Sequence, residues 1–229
     1  MDKFLGLAVS QRRNVYESVA QKVGLLPRVV EKDFWVTAIL QAVFALPMAG
    51  HLVFKGGTSL SKGWKLLDRF SEDIDLAMDP SLLGENLPIT PLTDSVIHTA
   101  IPAKTFLEKV FLLHELFSVP GHGVIAERKS RHLYDLYVMM NKDFAREAVT
   151  NDDLWESIRH HREIYTSVRD VDYSPDVRRR LRLIPGEDIL NIWRDDYDAM
   201  SELIYGNRPS FEELLEGLSE LQRRFREVL

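Results

Sequence analysis

The stretch His51-Leu52-Val53-Phe54-Lys55-Gly56-Gly57-Thr58-Ser59-Leu60-Ser61-Lys62, followed by Ser71-Glu72-Asp73-Ile74-Asp75-Leu76-Ala77, decides the fold class. His51–Lys55 is a short apolar run halted by two glycines, the pattern of a buried strand entering a turn. Glycines there let the backbone bend sharply and approach a ligand without a Cβ in the way. Thr58–Phe70 is predicted to be a helix, with Thr58 as its cap and Leu60, Trp64 and Leu67 on one face. Asp73–Ala77 alternates like a strand. Residues two apart then share a side, so Asp73 and Asp75 project together while Ile74 and Leu76 face the core.

Working outward, Phe4–Val23 is periodic and predicts a helix that Leu25-Leu26-Pro27 breaks. A second helix is expected over Arg28–Phe44, with Phe34, Trp35, Ile39, Leu40 and Val43 in the core; Pro47 and Gly50 end it. Phe34 and Trp35 read as core residues rather than base-stacking platforms. Pro80–Pro102 is looser and shows little periodicity. Helical pattern returns at Lys104–Phe117 and Ser130–Met140, around a loop at Gly121-His122-Gly123. From Asp152 to Leu229 the pattern is mostly helical, broken near Pro175, Pro185-Gly186 and Gly206–Pro209. There is no internal repeat and no low-complexity linker. The expected class is α+β: a small mixed sheet flanked by helices in residues 1–103, then a helical domain in 104–229.

Composition narrows the function classes. With 45% hydrophobic and 28% charged residues the chain has the balance of an ordinary globular protein rather than a disordered one. No window of about eighteen apolar residues is present, so no membrane span is expected. The start, MDKFLGLAVSQRRN, lacks the order of a signal peptide. The absence of cysteine excludes disulfides and thiolate metal sites. A cytoplasmic protein is expected. The net charge of -6 argues against a surface coated in phosphate-binding charge, although local patches matter more. Basic residues cluster at Arg159-His160-His161-Arg162, at Arg178, Arg179, Arg180 and Arg182, and at Arg223, Arg224 and Arg226. They read as solvated faces or carboxylate partners, with contact to an RNA backbone or triphosphate as the alternative.

The chemistry concentrates in the opening stretch. Backbone N–H groups at Gly56-Gly57 and the start of the following helix attract anions. A hydroxyl at Thr58 or Ser59 can donate to a phosphate oxygen, and Lys62 can neutralise charge. The alternative is a plain strand-to-helix connection with a hydroxyl cap. Asp73 and Asp75 repel each other on one strand face, which makes sense if a hard divalent cation such as Mg²⁺ binds beside them. The alternative is an exposed edge with solvated acids. A phosphate-cradling turn, one helix and a two-carboxylate strand together form the layout that nucleotidyl transfer from a nucleoside triphosphate requires.

Gly57-Thr58 followed by Asp73-x-Asp75 resembles the signature of the polymerase-β-type nucleotidyltransferase superfamily. The longer strings FKGGTSLSKGW and RFSEDIDL resemble the AbiEii family, the toxin halves of type IV toxin–antitoxin pairs. So do EKDFWVTAIL at Glu31–Leu40, PAKTFLEKVFLLHE at Pro102–Glu115, SRHLYDLYVM at Ser130–Met139, and the closing DDYDAM and SFEELLEGLSEL. The resemblance covers nearly the whole chain in order. It implies a nucleotidyltransferase-like fold and places Gly57, Thr58 and Lys62 in a first motif and Ser71, Asp73 and Asp75 in a second. It further implies that Lys109 faces the triphosphate and that Asp135 is the carboxylate of the last motif. It implies an activity that adds nucleotides to RNA, notably the acceptor end of tRNA, and a cognate antitoxin as a separate partner protein. From the residues alone, Lys109 reads as a snorkelling lysine, Arg131 and Asp135 as a helical pair, and His132 has no assigned role.

The chain is short for that family. Members usually place central strands and a third acidic residue between the DIDL and TFLEK segments, whereas only Ala77–Lys104 intervenes here. Asp79, Glu85, Asp94 and Glu108 are the nearest acids, and none sits in a strand-like context. Three explanations stand: an internal deletion, a segment missing around Ser81–Asn86, or Asp135 substituting for the absent carboxylate. Two other functional classes compete with the enzyme. One is a catalytically degenerate nucleotide-binding or antitoxin-binding module. The other is an unrelated helical interaction protein whose two motifs are accidental.

Overall fold

The computed structural model describes residues 2–71, 73–78 and 97–228. Asp79, Glu85, Asp94 and the Ser81–Asn86 segment lie outside the described residues. The described chain is mostly helical with one small antiparallel sheet, compatible with an α+β class. It divides into two compact units, Met1–Ala100 with Glu202–Asn207, and Ile101–Ser201 with Arg208–Leu229.

The first unit opens with α1 (Asp2–Leu5), α2 (Val9–Val23) and α3 (Pro27–Val43). The single N-terminal helix expected from Phe4 is thus two. Gly24 closes α2 in the left-handed conformation (φ 71°), and Pro27 starts α3 where its missing N–H costs nothing. The core-facing ridge of α3 is Val29, Val36 and Leu40. Trp35 and Ile39, expected inside, are 40% and 49% exposed. Apolar residues surround this helix, so its pattern does not select a face, and packing against the sheet does. Phe34 is half-buried among Phe4, Tyr16 and Trp35.

Strand β1 (Leu52–Lys55) pairs antiparallel with β2 (Asp75–Met78), with Leu52 opposite Met78 and Lys55 opposite Asp75. On its other edge β1 is bridged in parallel to Thr99: the Phe54 N–H donates to His98 O at 2.7 Å, and the Ala100 N–H to Phe54 O at 2.9 Å. This third extended segment relieves the marginal stability of a two-stranded ribbon. The inner face carries Leu52 and Phe54, which form one core with Val36, Leu40 and Phe44; Ile74 and Leu76 pack against it.

The second unit is built on α5 (Pro102–Ser118), whose Phe106, Leu107, Val110, Phe111 and Leu113 are fully buried. Around it stand α6 (Arg131–Met139), α7 (Asp143–Thr150), α8 (Asp152–Tyr165), α9 (Leu190–Ala199) and α10 (Phe211–Arg226). The helical stretch expected from Asp152 to Leu229 contains a long irregular passage between α8 and α9. In α10 the buried residues Phe211, Leu214, Leu218, Leu221 and Phe225 follow helical spacing, and Ser210 with Glu213 forms a capping box. Trp155 joins Phe111 and Phe225 at ring-centroid distances of 4.6 and 5.5 Å.

Two polar devices order this unit. The carboxylate of Asp196 accepts the N–H groups of Arg128 and Ser130 at 2.6 and 2.9 Å, placing negative charge at the start of α6. Glu115, Arg162 and Tyr173 form a buried network; Tyr173 donates to Glu115 at 2.8 Å, and burial together with that carboxylate pushes its phenol up to about 12. Several members of the basic clusters are matched likewise: Arg159 by Glu156 and Glu163, Arg178 by Asp152, Arg180 by Asp172 and Asp176, Arg223 and Arg224 by Glu220.

His114 is buried as a neutral ring. Its Nδ1 accepts the Arg182 N–H at 3.3 Å, so Nε2 carries the proton toward Asp172 O at 3.4 Å. Burial lowers its pKa below the usual 6.5. The unfolded chain therefore takes up this proton more readily than the folded one. The histidine's contribution is complete above its unfolded pKa and is lost as pH falls below it. Urea unfolding across pH 7 to 5 is expected to show stability declining, by at most about 1.4 kcal/mol per pH unit from this group. In His114→Gln that decline flattens. Separately, Asp196→Ala is expected to destabilise the second unit by about 1–2 kcal/mol, read as a lower urea midpoint at unchanged m-value.

Candidate active site

The turn after β1 is built from single-turn pieces rather than from a long helix. Gly56–Thr58 forms α4, Ser59–Gly63 winds as a π-helical turn, and Lys65 then enters the left-handed region at φ 52°. The helix expected over Thr58–Phe70 therefore ends early, and Trp64–Phe70 runs back as an extended loop. Leu60 and Leu67 are buried as expected. Trp64 is 43% exposed, its indole N–H donating to Ala100 O at 2.9 Å.

The two sequence motifs meet in space. Gly56, at φ +75°, lies so close to Asp75 that a Cβ on it would stand 1.9 Å from Oδ2 of that carboxylate. Thr58 donates its hydroxyl to the backbone carbonyl of Asp73. Asp73 and Asp75 are both exposed, whereas the intervening Ile74 packs on the core. Gly57 faces Ser71, whose Oγ would be 3.3 Å from a Cβ placed there. Gly56, Gly57, Thr58, Ser71, Asp73 and Asp75 thus form one cluster in the first unit.

The hydroxyls do different work from that expected. Thr58 and Ser59 are fully buried, and Ser59 donates to Gly56 O at 2.8 Å. A hydroxyl has one proton to donate, so both spend it shaping the turn rather than on a phosphate. Lys62 is held on α3, 2.6 Å from Asp33 Oδ1 and 3.0 Å from Thr37 Oγ1.

In the second unit Lys109 Nζ lies 3.0 Å from Asp135 Oδ2, with side chains 7% and 0% exposed. This pair buries Lys109, which therefore does not snorkel to the surface, and gives Asp135 a cationic partner from another helix. His132 Nδ1 is 3.2 Å from Lys109 Nζ. Lysine only donates, so Nδ1 accepts and His132 is the Nε2–H tautomer. Sequence reasoning missed His132, although its three-residue spacing from Asp135 puts both on one side of α6. Arg69 was missed too. The residue is 2% exposed, with Nη2 2.7 Å from where a Cβ of Gly57 would stand.

Asp73 and Asp75 supply oxygen donors of the kind that a hard divalent cation such as Mg²⁺ prefers; both stand exposed, and glycine rather than a side chain lies against Asp75. Among the described residues no group of three or more His, Asp or Glu side chains comes together as a metal site. No described helix is long and apolar enough to cross a membrane.

The model of a family described as nucleotidyl transferase AbiEii toxin, type IV toxin–antitoxin system, matches residues 38–88 and 83–217. The chain belongs to the AbiEii family. The two matched segments overlap at residues 83–88. Comparisons with curated proteins and with solved structures return no match.

Gly56→Ala tests the close approach. A methyl group there meets the Asp75 carboxylate and must also adopt a positive φ, a strained conformation for alanine. The expected outcome is a folded variant, by circular dichroism, whose nucleotidyl transfer falls at least about a hundredfold because the carboxylate is displaced.

Proposed function

We propose that this AbiEii toxin is a Mg²⁺-dependent nucleotidyltransferase of the cytoplasm, which moves a nucleotide from a nucleoside triphosphate to an RNA acceptor, most naturally the acceptor end of tRNA. A cognate antitoxin protein is its proposed partner. The observation that carries this reading is the contact of Gly56 with the Asp75 carboxylate, reinforced by the Thr58 hydroxyl on Asp73 O. The end of the strand pair brings a turn able to hold phosphate against acids able to hold a metal, the juxtaposition that nucleotidyl transfer uses.

On this reading residues 1–103 are a nucleotidyltransferase-like domain and 104–229 a helical domain. Asp73 and Asp75 hold the metal, which supplies Lewis-acid polarisation of the phosphoryl group and a more acidic acceptor hydroxyl. The backbone of Gly56 and Gly57, with Lys62 and Ser71, holds the triphosphate. The acceptor hydroxyl oxygen attacks the α-phosphorus, the α–β bond breaks, and pyrophosphate leaves. Lys109 and Asp135 keep the roles that the family resemblance assigns, triphosphate contact and the last-motif carboxylate. Their mutual ion pair supports a lysine held charged in a buried place.

A second reading is favoured by the two-segment family match and by the two-carboxylate cluster: a degenerate member that binds nucleotide or antitoxin without turnover. Incubation with Mg²⁺, each α-labelled triphosphate in turn and total tRNA separates the two. Transfer of label to RNA is expected for one base above the others, and Asp73→Asn or Asp75→Asn is expected to reduce it by at least about a thousandfold. Label that persists in both variants would remove the mechanism. Triphosphate binding without any transfer would leave the degenerate reading.

A further inference from the structure

The turn that follows β1 has two ends. At its start, Gly56 and Gly57 lie against Asp75 and Ser71. At its finish, Lys62 and Gly63 open on a cavity of about 510 Å³. The remaining walls are Thr37, Leu40 and Gln41 of α3, Phe54 of β1, and Ile97 and Thr99 of the segment bridged to β1. All of these residues belong to the first unit. Between the two ends the chain winds as a π-helical turn over Ser59–Gly63, a conformation that recurs at functional sites. The finish of the turn is held in place, because the loop after it is pinned: Phe70 N–H donates to Leu203 O at 2.7 Å and Tyr205 N–H to Asp68 O at 3.0 Å.

The lining is apolar at Leu40, Phe54 and Ile97 and polar at Thr37, Gln41 and Thr99. The polar groups differ in what they still offer a ligand. Thr37 donates its hydroxyl proton to Asp33 O at 2.9 Å and accepts from Lys62 Nζ at 3.0 Å, and Thr99 donates to Ile97 O at 3.2 Å. The side chain of Gln41 makes no hydrogen bond within the described chain and stands exposed on α3. Its amide carries a donor and an acceptor side by side. Gly63 keeps the mouth open, since a Cβ there would stand 3.3 Å from Thr99 Cγ2. The one charged lining residue is Lys62, and Asp33 matches it at 2.6 Å. The cavity therefore suits a neutral, flat group with a hydrogen-bonding edge rather than a free anion, and its volume is that of a small-molecule site.

We propose that this cavity seats the nucleobase of the donor nucleotide and that Gln41 reads the edge of that base; the proposal rests on the nucleotidyltransferase reading of the turn and its acids. The sheet supports the span. On one edge of β1, Lys55 pairs with Asp75, and on the other, Phe54 is bridged to Thr99. Acids and cavity thus flank a single strand, two strand spacings or about 10 Å apart. One nucleotide covers that distance, with its phosphates over the turn and its base beyond Gly63. The apolar walls meet the faces of the ring, and the amide offers the paired donor and acceptor that glutamine uses on base edges. A site built to hydrogen-bond one edge rejects a base that leaves the amide unmatched.

The test is equilibrium binding of the four nucleoside triphosphates and of inorganic tripolyphosphate to the full chain and to Gln41→Leu and Gln41→Glu, with label transfer to RNA measured in parallel. Because Gln41 is exposed on α3, both variants are expected to keep the wild-type thermal melt. Gln41→Leu keeps the bulk and loses the polar edge. It is expected to shrink the affinity ratio of the favoured to the least favoured triphosphate by roughly fivefold or more, with tripolyphosphate binding unchanged. Gln41→Glu leaves only acceptors, and the preference is expected to move toward bases with an exocyclic amino group and away from uracil. A folded Gln41→Leu variant with an unchanged ratio overturns the inference. So does equal weakening of tripolyphosphate, which reports a damaged turn, and so does a wild type that binds the four triphosphates alike. Should Gln41→Leu fail to fold, the decision passes to Gln41→Glu, whose preference must move. Base-selective transfer that ignores Gln41 removes the seat and leaves the nucleotidyltransferase reading standing. Gln41-dependent selectivity in binding without any transfer keeps the seat and sinks that reading. Absence of triphosphate binding sinks both.

Discussion

Lys55 pairs with Asp75 at the end of the two-stranded ladder, and the backbone leaves that pair directly into Gly56. The constraint is steric before it is chemical. The carboxylate occupies the volume that any side chain at position 56 would need, and the glycine must hold a positive φ while it yields that space. The sheet register sets which acid meets the turn: a slip of one residue would bring Ile74 or Leu76 there and turn the acids toward the core. Packing of Leu52, Phe54, Ile74 and Leu76 on α3 prevents that slip. The hydrophobic core thereby fixes the geometry of a charged site on the opposite face of the same sheet.

Elements with a clean period were legible before the structure was known. The strand at His51–Lys55, the alternation of Asp73–Ala77 and the helices that became α5, α6 and α10 were all read from spacing, with ends differing by a few residues. The segment Thr58–Phe70 misled for a physical reason. Leu60, Trp64 and Leu67 have helical spacing, but Leu60 and Leu67 are buried equally well by a short turn followed by a returning loop. The residue that ends the helix is Lys65 in a left-handed conformation, without the glycine that usually announces such a stop. Only the distant Leu203–Tyr205 segment, which pins the loop, makes that path favourable.

The site was partly legible for the same reasons. Gly56, Gly57, Ser71, Asp73 and Asp75 could be grouped because strand periodicity and glycine geometry act locally. Arg69 could not, since its inward direction depends on a partner segment more than a hundred residues away in the chain. The basic clusters illustrate the converse. Arg162 meets Glu115, and Arg178 meets Asp152, so part of the charge in runs that resemble nucleic-acid footprints holds one helical unit together. A count of local charge does not reveal a carboxylate that comes from another element.

Lys109 and Asp135 show how burial alters the meaning of a charge. A surface pair of this kind contributes little, because water screens it and side-chain entropy opposes it. Here both side chains are removed from water, so removing either alone would leave an uncompensated buried charge and destabilise its unit. His132 adds a neutral acceptor to the same ammonium and leaves its charge in place. Lys109 is thereby held in a fixed position by Asp135 and His132. That is the condition a cation must meet to recognise phosphate by geometry, and a flexible surface lysine does not meet it.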